Sequence, residues 1–220
     1  MNFIPAQESK LFKRVFRVYV RLLLKRRFKK IWVHQQYHPI QKDRTVYFLN
    51  HNSWWDGLIP FLLNEYRFNQ QGRAMMEHKQ MKKYRFFKKL GAFSMVPHNR
   101  SHNLASLRYT VKSMQRPNAS LFIYPQGEIL PAGSQIHFKN GIGWLCKQMP
   151  NVDFVPIGIH MHTMRHDKPE LHIWVGKPVS ITPNKDLKEI TASFEQIMQQ
   201  LLDQLKNTAG FSDEVYESFF

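Results

Sequence analysis

The segment Asn50-His51-Asn52-Ser53-Trp54-Trp55-Asp56 places an imidazole and a carboxylate five positions apart. A regular helix would point these two side chains about 140° apart, so they meet only if the first part of the segment is a turn. A neutral histidine with one ring nitrogen held by a carboxylate presents the other nitrogen as a general base at about pH 7. The pair is therefore a candidate for taking a proton from a hydroxyl, although His and Asp residues this close also arise easily in a chain with 11 histidines.

The elements around this segment alternate between strands and helices. Short apolar and β-branched runs predict strands at 43–50, 73–77, 92–96, 120–125, 152–159 and 171–176. Apolar residues every three or four positions predict helices at 58–63, 79–89, 104–114 and 141–150, and a last helix from an N-terminal region with Thr182, Pro183 and Asp186 as far as Leu205.

This order predicts an α/β fold: a single-domain sandwich with a central, mostly parallel mixed sheet flanked by helices. The C-terminal strands are candidates for an antiparallel pair. His51 would then lie at a strand end, where α/β folds carry their sites.

The composition fits one folded domain. A chain of 220 residues, with 43% hydrophobic and 14% aromatic residues, is neither disordered nor fibrous. No apolar run approaches the roughly 18 residues of a membrane-spanning helix. Cys146 is the single cysteine, which excludes an internal disulfide and a cysteine-based metal cage. The histidines match no standard spacing of metal ligands, so no metal is expected.

The unusual feature is the charge, because 32 Lys and Arg residues against 16 Asp and Glu residues give a net charge of +16. Such a balance suits nucleic acid, an anionic membrane surface or a phosphate-bearing substrate as partner. Ten of the basic residues lie within residues 1–30, where Glu8 is the only acid, whereas residues 186–220 hold seven acids and two lysines. We expect a polarised molecule.

Residues 1–34 are predicted to form a basic amphipathic helix that lies on a membrane surface. At helical spacing the basic side chains form a stripe, with apolar side chains on the opposite side. The residues assigned to contact with the membrane are Lys13, Arg14, Arg17, Arg21 and Lys25, and the apolar side holds Leu11, Phe12, Val15, Phe16, Val18, Tyr19, Leu22 and Leu23. Each basic residue near an anionic surface adds about 1 kcal/mol. The alternative is an ordinary amphipathic helix packed on the domain with a solvated basic face.

A second basic segment, residues 79–89, mixes Lys and Arg with Tyr84, Phe86 and Phe87. Aromatic residues among basic ones can stack on nucleic-acid bases. The chain has no zinc-finger spacing and no aromatic RNP-like strand, so nucleic acid is not the expected partner. The solvated face of a short helix is the alternative.

Four blocks of sequence resemble the glycerolipid acyltransferase family, whose best-known members acylate glycerol 3-phosphate and lysophosphatidate. They follow the family's order: Asn50-His51-x-Ser53-x-x-Asp56; Gly91-Ala92-Phe93 followed by Arg100; Tyr124-Pro125-Gln126-Gly127-Glu128 with Phe138-Lys139-x-Gly141 after it; and Val155-Pro156-Ile157. The first block matches at all four of its positions, and the third is usually Phe-Pro-Glu-Gly-Thr-Arg. The resemblance implies an acyltransferase domain at residues 35–220.

The resemblance also implies the roles of the residues. His51 would deprotonate the acceptor hydroxyl for attack on an acyl thioester, and Asp56 would fix its tautomer and favour the imidazolium. The residues assigned to substrate binding are Asn50, Ser53, Gly91, Arg100, Pro125, Gln126, Gly127, Glu128 and Lys139. The backbone around Gly127 is a candidate for N–H groups that face the oxyanion. No cofactor is expected beyond the co-substrate, a long-chain acyl-CoA or acyl carrier protein, which residues 79–89 could dock.

Departures from the family pattern bear on the acceptor. Ile129 stands where the third block has an arginine, Gln126 stands where glutamate is usual, and the interval before Arg100 is widened. Because the family's arginines in these blocks are associated with the acceptor's phosphate, we expect an acceptor without a phosphomonoester. A sugar-bearing or carotenoid-type lipid hydroxyl is the first candidate, with lysophosphatidate close behind.

The expected location is the cytoplasmic face of a membrane, with peripheral attachment. The alternative function is that of a catalytically inactive basic peripheral protein that binds anionic lipid or RNA. A hydrolase that uses the same His-Asp pair on water is disfavoured, because the chain has no Gly-x-Ser-x-Gly segment.

Overall fold

The computed structural model describes residues 3–96, 100–181 and 185–220, and of residues 100–102 only the backbone. The helices are α1 Lys10–Arg27, α2 Ile59–Leu63, α3 His78–Lys83, α4 Phe87–Leu90, α5 Arg100–Ser113, α6 Gly141–Gln148 and α7 Leu187–Thr208. The strands are β1 Lys30–Gln35, β2 Thr45–Leu49, β3 Gln71–Glu77, β4 Ala92–Met95, β5 Ala119–Ile123, β6 Asp153–His162, β7 Glu170–Val175 and β8 Glu217–Ser218. Short 3-10 turns occupy Trp54–Leu58 and Asp213–Val215, and a π turn occupies Asn64–Phe68.

These strands form one sheet in the order β4-β3-β5-β2-β6-β7-β1-β8. Neighbours from β4 to β6 are parallel, β6 and β7 are antiparallel, β7 and β1 are parallel, and β8 pairs antiparallel with β1. The predicted α/β fold with a mostly parallel mixed sheet is confirmed, as is an antiparallel pair near the C-terminal strands. The carboxyl ends of β3, β5, β2 and β6 therefore meet at one edge.

Both faces of the sheet are covered, which explains the continuous apolar runs of its strands. In β2, Tyr47 and Leu49 pack with residues of α1 and α2, whereas Val46 and Phe48 pack with residues of α6 and α7. All five β2 residues are buried. The strand that ends just before His51 is thus fixed by packing on both sides.

Helix α1 has two apolar faces rather than one, which corrects the prediction of a single apolar side. Phe16, Val20 and Leu24 are buried against the core. An outward stripe holds Leu11, Val15, Val18 and Leu22, each between 54% and 72% exposed. At 100° per residue this stripe lies nearly opposite the buried one, with Arg14, Arg21 and Lys25 exposed between them. We call the four outward residues the α1 outer stripe.

The N-terminal segment is continuous with the rest of the fold. The predicted division between residues 34 and 35 falls inside β1, a strand the sequence did not predict, which pairs with both β7 and β8. Residues before α1 also join the sheet edge, because Ile4 exchanges hydrogen bonds with Ser94 of β4. Residues 30–34 therefore belong to the sheet and not to a separate helical unit.

The helices predicted at 79–89 and near Asp186 differ in detail from those in the structure. The helix predicted at 79–89 is two short helices, α3 and α4, because the chain leaves helical geometry at Tyr84. The last helix begins after Asp186, whose side chain accepts a hydrogen bond from Glu189 N–H, whereas Thr182 and Pro183 lie outside the described residues. Within the described ranges, every helix is too short or too polar to cross a membrane.

Candidate active site

The carboxylate of Asp56 organises the turn that follows β2. Its Oδ2 accepts hydrogen bonds from the backbone N–H groups of Asn52 and Ser53, at 2.6 and 2.8 Å, and its Oδ1 accepts from the Ser53 hydroxyl at 2.7 Å. These donors bend residues 51–53 back over the 3-10 turn that begins at Trp54. The turn that the His-Asp spacing requires is therefore present.

This turn brings the predicted pair together. His51 Nδ1 lies 3.2 Å from Asp56 Oδ2, so the carboxylate can accept a hydrogen bond from Nδ1–H, which makes Nε2 the unprotonated nitrogen of the neutral ring. The Asp56 side chain is 1% exposed, whereas that of His51 remains 19% exposed. A buried acid that orients a partly exposed imidazole is the arrangement a general base needs.

Tyr124 contacts both members of the pair, which the sequence did not predict. Its ring stacks on the imidazole of His51 with centroids 4.3 Å apart and planes inclined by 30°. Its hydroxyl donates to the backbone carbonyl of Asp56 at 2.5 Å. Burial, followed by the nearby charge of Asp56, raises the pKa of Tyr124 well above its ordinary value, so the hydroxyl stays a donor.

The loop after β5 is joined to the same turn by further hydrogen bonds. The buried side chain of Gln126 accepts from the backbone N–H of His51 at 3.0 Å. Leu130 N–H donates to the carbonyl of His51 at 2.9 Å, and the Asn52 side chain donates to the carbonyl of Leu130. The first and third sequence blocks thus form one structure at the carboxyl edge of the sheet.

Lys139, in the segment that follows the third block, lies against Gly127. Its ammonium nitrogen is 2.6 Å from the position that a Cβ on Gly127 would occupy, and Gly127 has a positive φ of 76°. A side chain at Gly127 would therefore meet both backbone strain and the lysine. The N–H of Gly127 donates to the carbonyl of Tyr124 at 3.0 Å, so it is not free for an oxyanion. Glu128 and Ile129 are exposed nearby, and Pro125 is buried.

Two residues assigned to substrate binding have structural positions instead. Asn50 is completely buried, and its amide bonds both the N–H and the carbonyl of Ile159. Gly91 precedes β4, at the opposite edge of the sheet from His51, where its positive φ of 107° and the nearby carbonyl of Gly72 exclude a side chain. Gly91 therefore lies away from the His51–Asp56 pair, whereas the Asn50 amide also donates to the side chain of Asn52 in the turn.

The remaining assignments have different outcomes. Ser53 is committed to Asp56. The backbone of Arg100 begins α5, but its side chain lies outside the described part of the chain, as does His98.

Lys13, predicted to contact a membrane, instead pairs with Glu8 beside Arg73, and burial lowers its pKa. Of the other residues predicted to contact the membrane, Arg14, Arg21 and Lys25 are exposed and Arg17 is half-buried.

A narrow crevice opens beside the site. It reaches Gly57 and Leu58, directly after Asp56, and its other lining side chains include Phe16, Phe61, Phe87 and Phe122. Polar side chains of Lys13, Glu65 and Arg73 also reach it. Across the described ranges, no three His, Cys, Asp or Glu side chains are grouped as a metal site.

The family model for acyltransferases matches residues 30–160, which is more than half of the chain. The chain therefore belongs to the acyltransferase family and is an acyltransferase, as the resemblance of its sequence blocks implied. Its fold is similar to a crystal structure of the 1-acyl-sn-glycerophosphate (LPA) acyltransferase PlsC from Thermotoga maritima. That comparison gives a TM-score of 0.64 at 14% identity, over 88% of this chain and 80% of that chain. A search of curated proteins finds no match.

Proposed function

We propose that this acyltransferase is a peripheral membrane enzyme that moves a fatty acyl group from an acyl thioester to a lipid hydroxyl. The observation that carries the proposal is the contact of 3.2 Å between His51 Nδ1 and the buried carboxylate of Asp56. That contact leaves Nε2 available to a hydroxyl at the carboxyl edge of the sheet. The acyltransferase family supplies the reaction class.

In the proposed reaction, His51 Nε2 takes the proton of the acceptor hydroxyl while its oxygen bonds to the thioester carbonyl carbon. The carbon–sulfur bond then breaks, and the imidazolium returns the proton to the leaving thiolate. Asp56 holds the tautomer and stabilises the imidazolium between these steps. General-base catalysis of this kind contributes about 10² to 10⁴ in rate.

The acceptor proposed first is a lipid hydroxyl without a phosphomonoester, sugar-bearing or carotenoid-type. Ile129 is 52% exposed where the family has an arginine, and Gln126 places a neutral amide against His51. Lys139 is the cation that remains on this loop, lying against Gly127. Lysophosphatidate is the second candidate, and the fold similarity to an LPA acyltransferase favours it.

The donor is proposed to be a long-chain acyl-CoA or acyl carrier protein. Helix α3 follows the carboxyl end of β3, two strands from β2 in the sheet, so the basic residues Lys79 and Lys82 lie at the edge that carries His51. Phosphates of either donor are complementary to this surface. The aromatic crevice beside Gly57 is the place for part of the acyl chain. No cofactor beyond this donor is proposed.

Membrane attachment is proposed to use the α1 outer stripe together with its flanking basic residues. Four neighbouring aliphatic side chains on one helix are each more than half exposed. Exposed Arg14, Arg21 and Lys25 beside them match the headgroup layer of an anionic leaflet, where each adds about 1 kcal/mol. The cytoplasmic face, where acyl donors are made, is the proposed side.

The test is acyl transfer by purified protein, with each donor and each acceptor class dispersed in anionic vesicles. We expect transfer that is lost in His51→Ala, while binding to vesicles is retained. Full activity in His51→Ala would refute the mechanism. Rapid turnover of lysophosphatidate alone would refute the preferred acceptor. Vesicle binding without transfer in the wild type would favour an inactive lipid-binding protein.

A further inference from the structure

We infer that Tyr124 is a positioning residue that fixes the orientation of His51, the proposed base, relative to Asp56, the acid that binds it. The inference rests on the proposed function, because it assigns Tyr124 a role in the same His51–Asp56 pair. It adds a residue to which the sequence blocks give no role.

The position of Tyr124 follows from the sheet. It comes directly after β5, which pairs in parallel with β2, so Tyr124 and His51 follow the ends of adjacent strands. One side chain therefore reaches both residues: the ring covers a face of the His51 imidazole, and the hydroxyl binds the main chain at Asp56. The hydrogen bond from the Tyr124 hydroxyl to Asp56 is short, at 2.5 Å.

The two contacts restrict different motions. An imidazole held only by one Nδ1 bond of 3.2 Å can still swing about its side-chain torsions. A stacked ring on one face removes most of those orientations and keeps Nε2 aimed at the same place. The hydroxyl fixes the carbonyl of Asp56, and with it the 3-10 turn that carries the carboxylate.

The ring and the hydroxyl can be separated by substitution. The third block of the family usually begins with Phe, so Tyr124→Phe keeps the stack and removes only the bond to Asp56. Tyr124→Leu removes both contacts. Tyr47 is the control tyrosine, because its ring also stacks on an aromatic ring, that of Phe68, and its hydroxyl also donates one hydrogen bond, to Gln70 at 2.9 Å.

The experiment measures kcat and KM of the full chain for its acyl donor and acceptor. We expect Tyr124→Phe to lower kcat about three- to ten-fold, the effect of one lost hydrogen bond. We expect Tyr124→Leu to lower kcat by about 10²-fold, as for a misplaced general base. In both variants KM changes by less than about two-fold, and Tyr47→Phe keeps the wild-type kcat.

A spectroscopic readout accompanies the kinetics. The stacked ring should shift the ring-proton NMR signals of His51 upfield, with the signals assigned by comparison with His51→Gln. The shift should persist in Tyr124→Phe and disappear in Tyr124→Leu. If Tyr124→Leu does not fold, the upfield shift of the wild type and the kcat of Tyr124→Phe decide the inference.

The possible failures are distinguishable. A wild-type kcat in both Tyr124 variants overturns the positioning role and leaves the proposed function standing. Absence of the upfield shift in the wild type also overturns it, whatever the activity. If the wild-type protein transfers no acyl group while the upfield shift is present, the proposed function fails but the predicted geometry of the stack is supported.

Discussion

The amide of Asn50 bonds both backbone groups of Ile159, donating to its carbonyl at 2.9 Å and accepting from its N–H at 2.8 Å. Ile159 lies in β6, two residues after the Val-Pro-Ile block, and β6 is the parallel neighbour of β2. The residue before the general base is thus tied to the strand of the fourth block. The first and fourth blocks are therefore linked by this pair of hydrogen bonds.

Removal of this link should destabilise the fold. Asn50→Ala leaves two buried backbone groups of Ile159 without partners, and we expect the free energy of unfolding to fall by about 2–4 kcal/mol. Denaturant titration measures the change. Asn207→Ala, at an exposed position of α7, should stay within about 0.5 kcal/mol of the wild type. An Asn50→Ala variant as stable as this control would contradict the structural role.

Loss of the carboxylate should reduce the rate more than substrate binding. In Asp56→Asn, an amide NH₂ group in place of Oδ2 would meet the backbone N–H groups of Asn52 and Ser53, which are also donors. His51 Nδ1–H would then lose the oxygen that accepts its hydrogen bond. We expect kcat to fall by about 10²- to 10⁴-fold with KM changed by less than about three-fold. Steady-state acyl transfer checks this, with Asp203→Asn on the exposed face of α7 as control. Near-normal turnover in Asp56→Asn would argue against His51 as base.

The site could be predicted from the sequence where its geometry is local. The apolar run before His51 predicts a strand end there, and the five-residue spacing shows that His51 and Asp56 meet if the segment between them turns. Apolar periodicity also predicts most strands, because their burial on both faces leaves continuous apolar runs. The contact of Tyr124 with this pair depends on which strands become neighbours, and no local pattern carries that information.

Other features depend on the same long-range arrangement. Gly91 belongs to a family block, but its place at the far edge of the sheet follows from the direction of β4. Helical spacing groups all apolar residues of α1, whereas only the packed fold shows that Phe16 turns inward and Val15 outward. Strand β1 escapes prediction because its short apolar core follows a basic run, and its pairing partners lie more than 130 residues away.

Replacement of the missing arginine should change acceptor preference. Ile129 is exposed on the loop that binds His51, so Ile129→Arg can be made without disturbing the core. The guanidinium would offer a bidentate partner to a phosphomonoester. We expect kcat/KM for lysophosphatidate to rise about ten-fold relative to a phosphate-free acceptor, measured in competition. Ile129→Gln adds polarity without charge and serves as the control; an equal gain with Gln would exclude the charge effect.

The α1 outer stripe should govern vesicle binding. We expect Leu11→Gln combined with Leu22→Gln to weaken binding to anionic vesicles about ten-fold or more in flotation assays, because two aliphatic side chains that the proposal inserts into the bilayer are lost. Charge removal at Arg14, Arg21 and Lys25 should weaken binding most at low salt. The double variant Ile40→Gln and Phe211→Gln alters exposed apolar residues elsewhere and should bind normally. If the Ile40→Gln and Phe211→Gln variant weakens vesicle binding as much as the Leu11→Gln and Leu22→Gln variant does, exposed apolar residues in general, and not the α1 outer stripe, drive the binding.

Acid should destabilise the fold through histidines on β6 and β7. His162 and His172 stack with ring centroids 5.0 Å apart, and the backbone of His160 pairs with that of His172. Burial is the main cause that lowers the pKa of all three, and it lowers that of His172 to about 4. For His162 and His172, the carboxylates of Glu170 and Asp213 oppose the effect of burial, but only in part.

The lowered pKa values of these histidines determine how stability changes with pH. Below about pH 6.5 the unfolded chain binds protons that the folded one does not, so stability is complete above that pH and falls as the pH drops towards 4. For His172 alone we expect a loss of about 2–3 kcal/mol between pH 7 and pH 4. His172→Phe fills a similar space without titrating and should flatten the slope in urea titrations. His38→Gln, at an exposed position, should leave the slope unchanged; an unchanged slope in His172→Phe would place the acid sensitivity elsewhere.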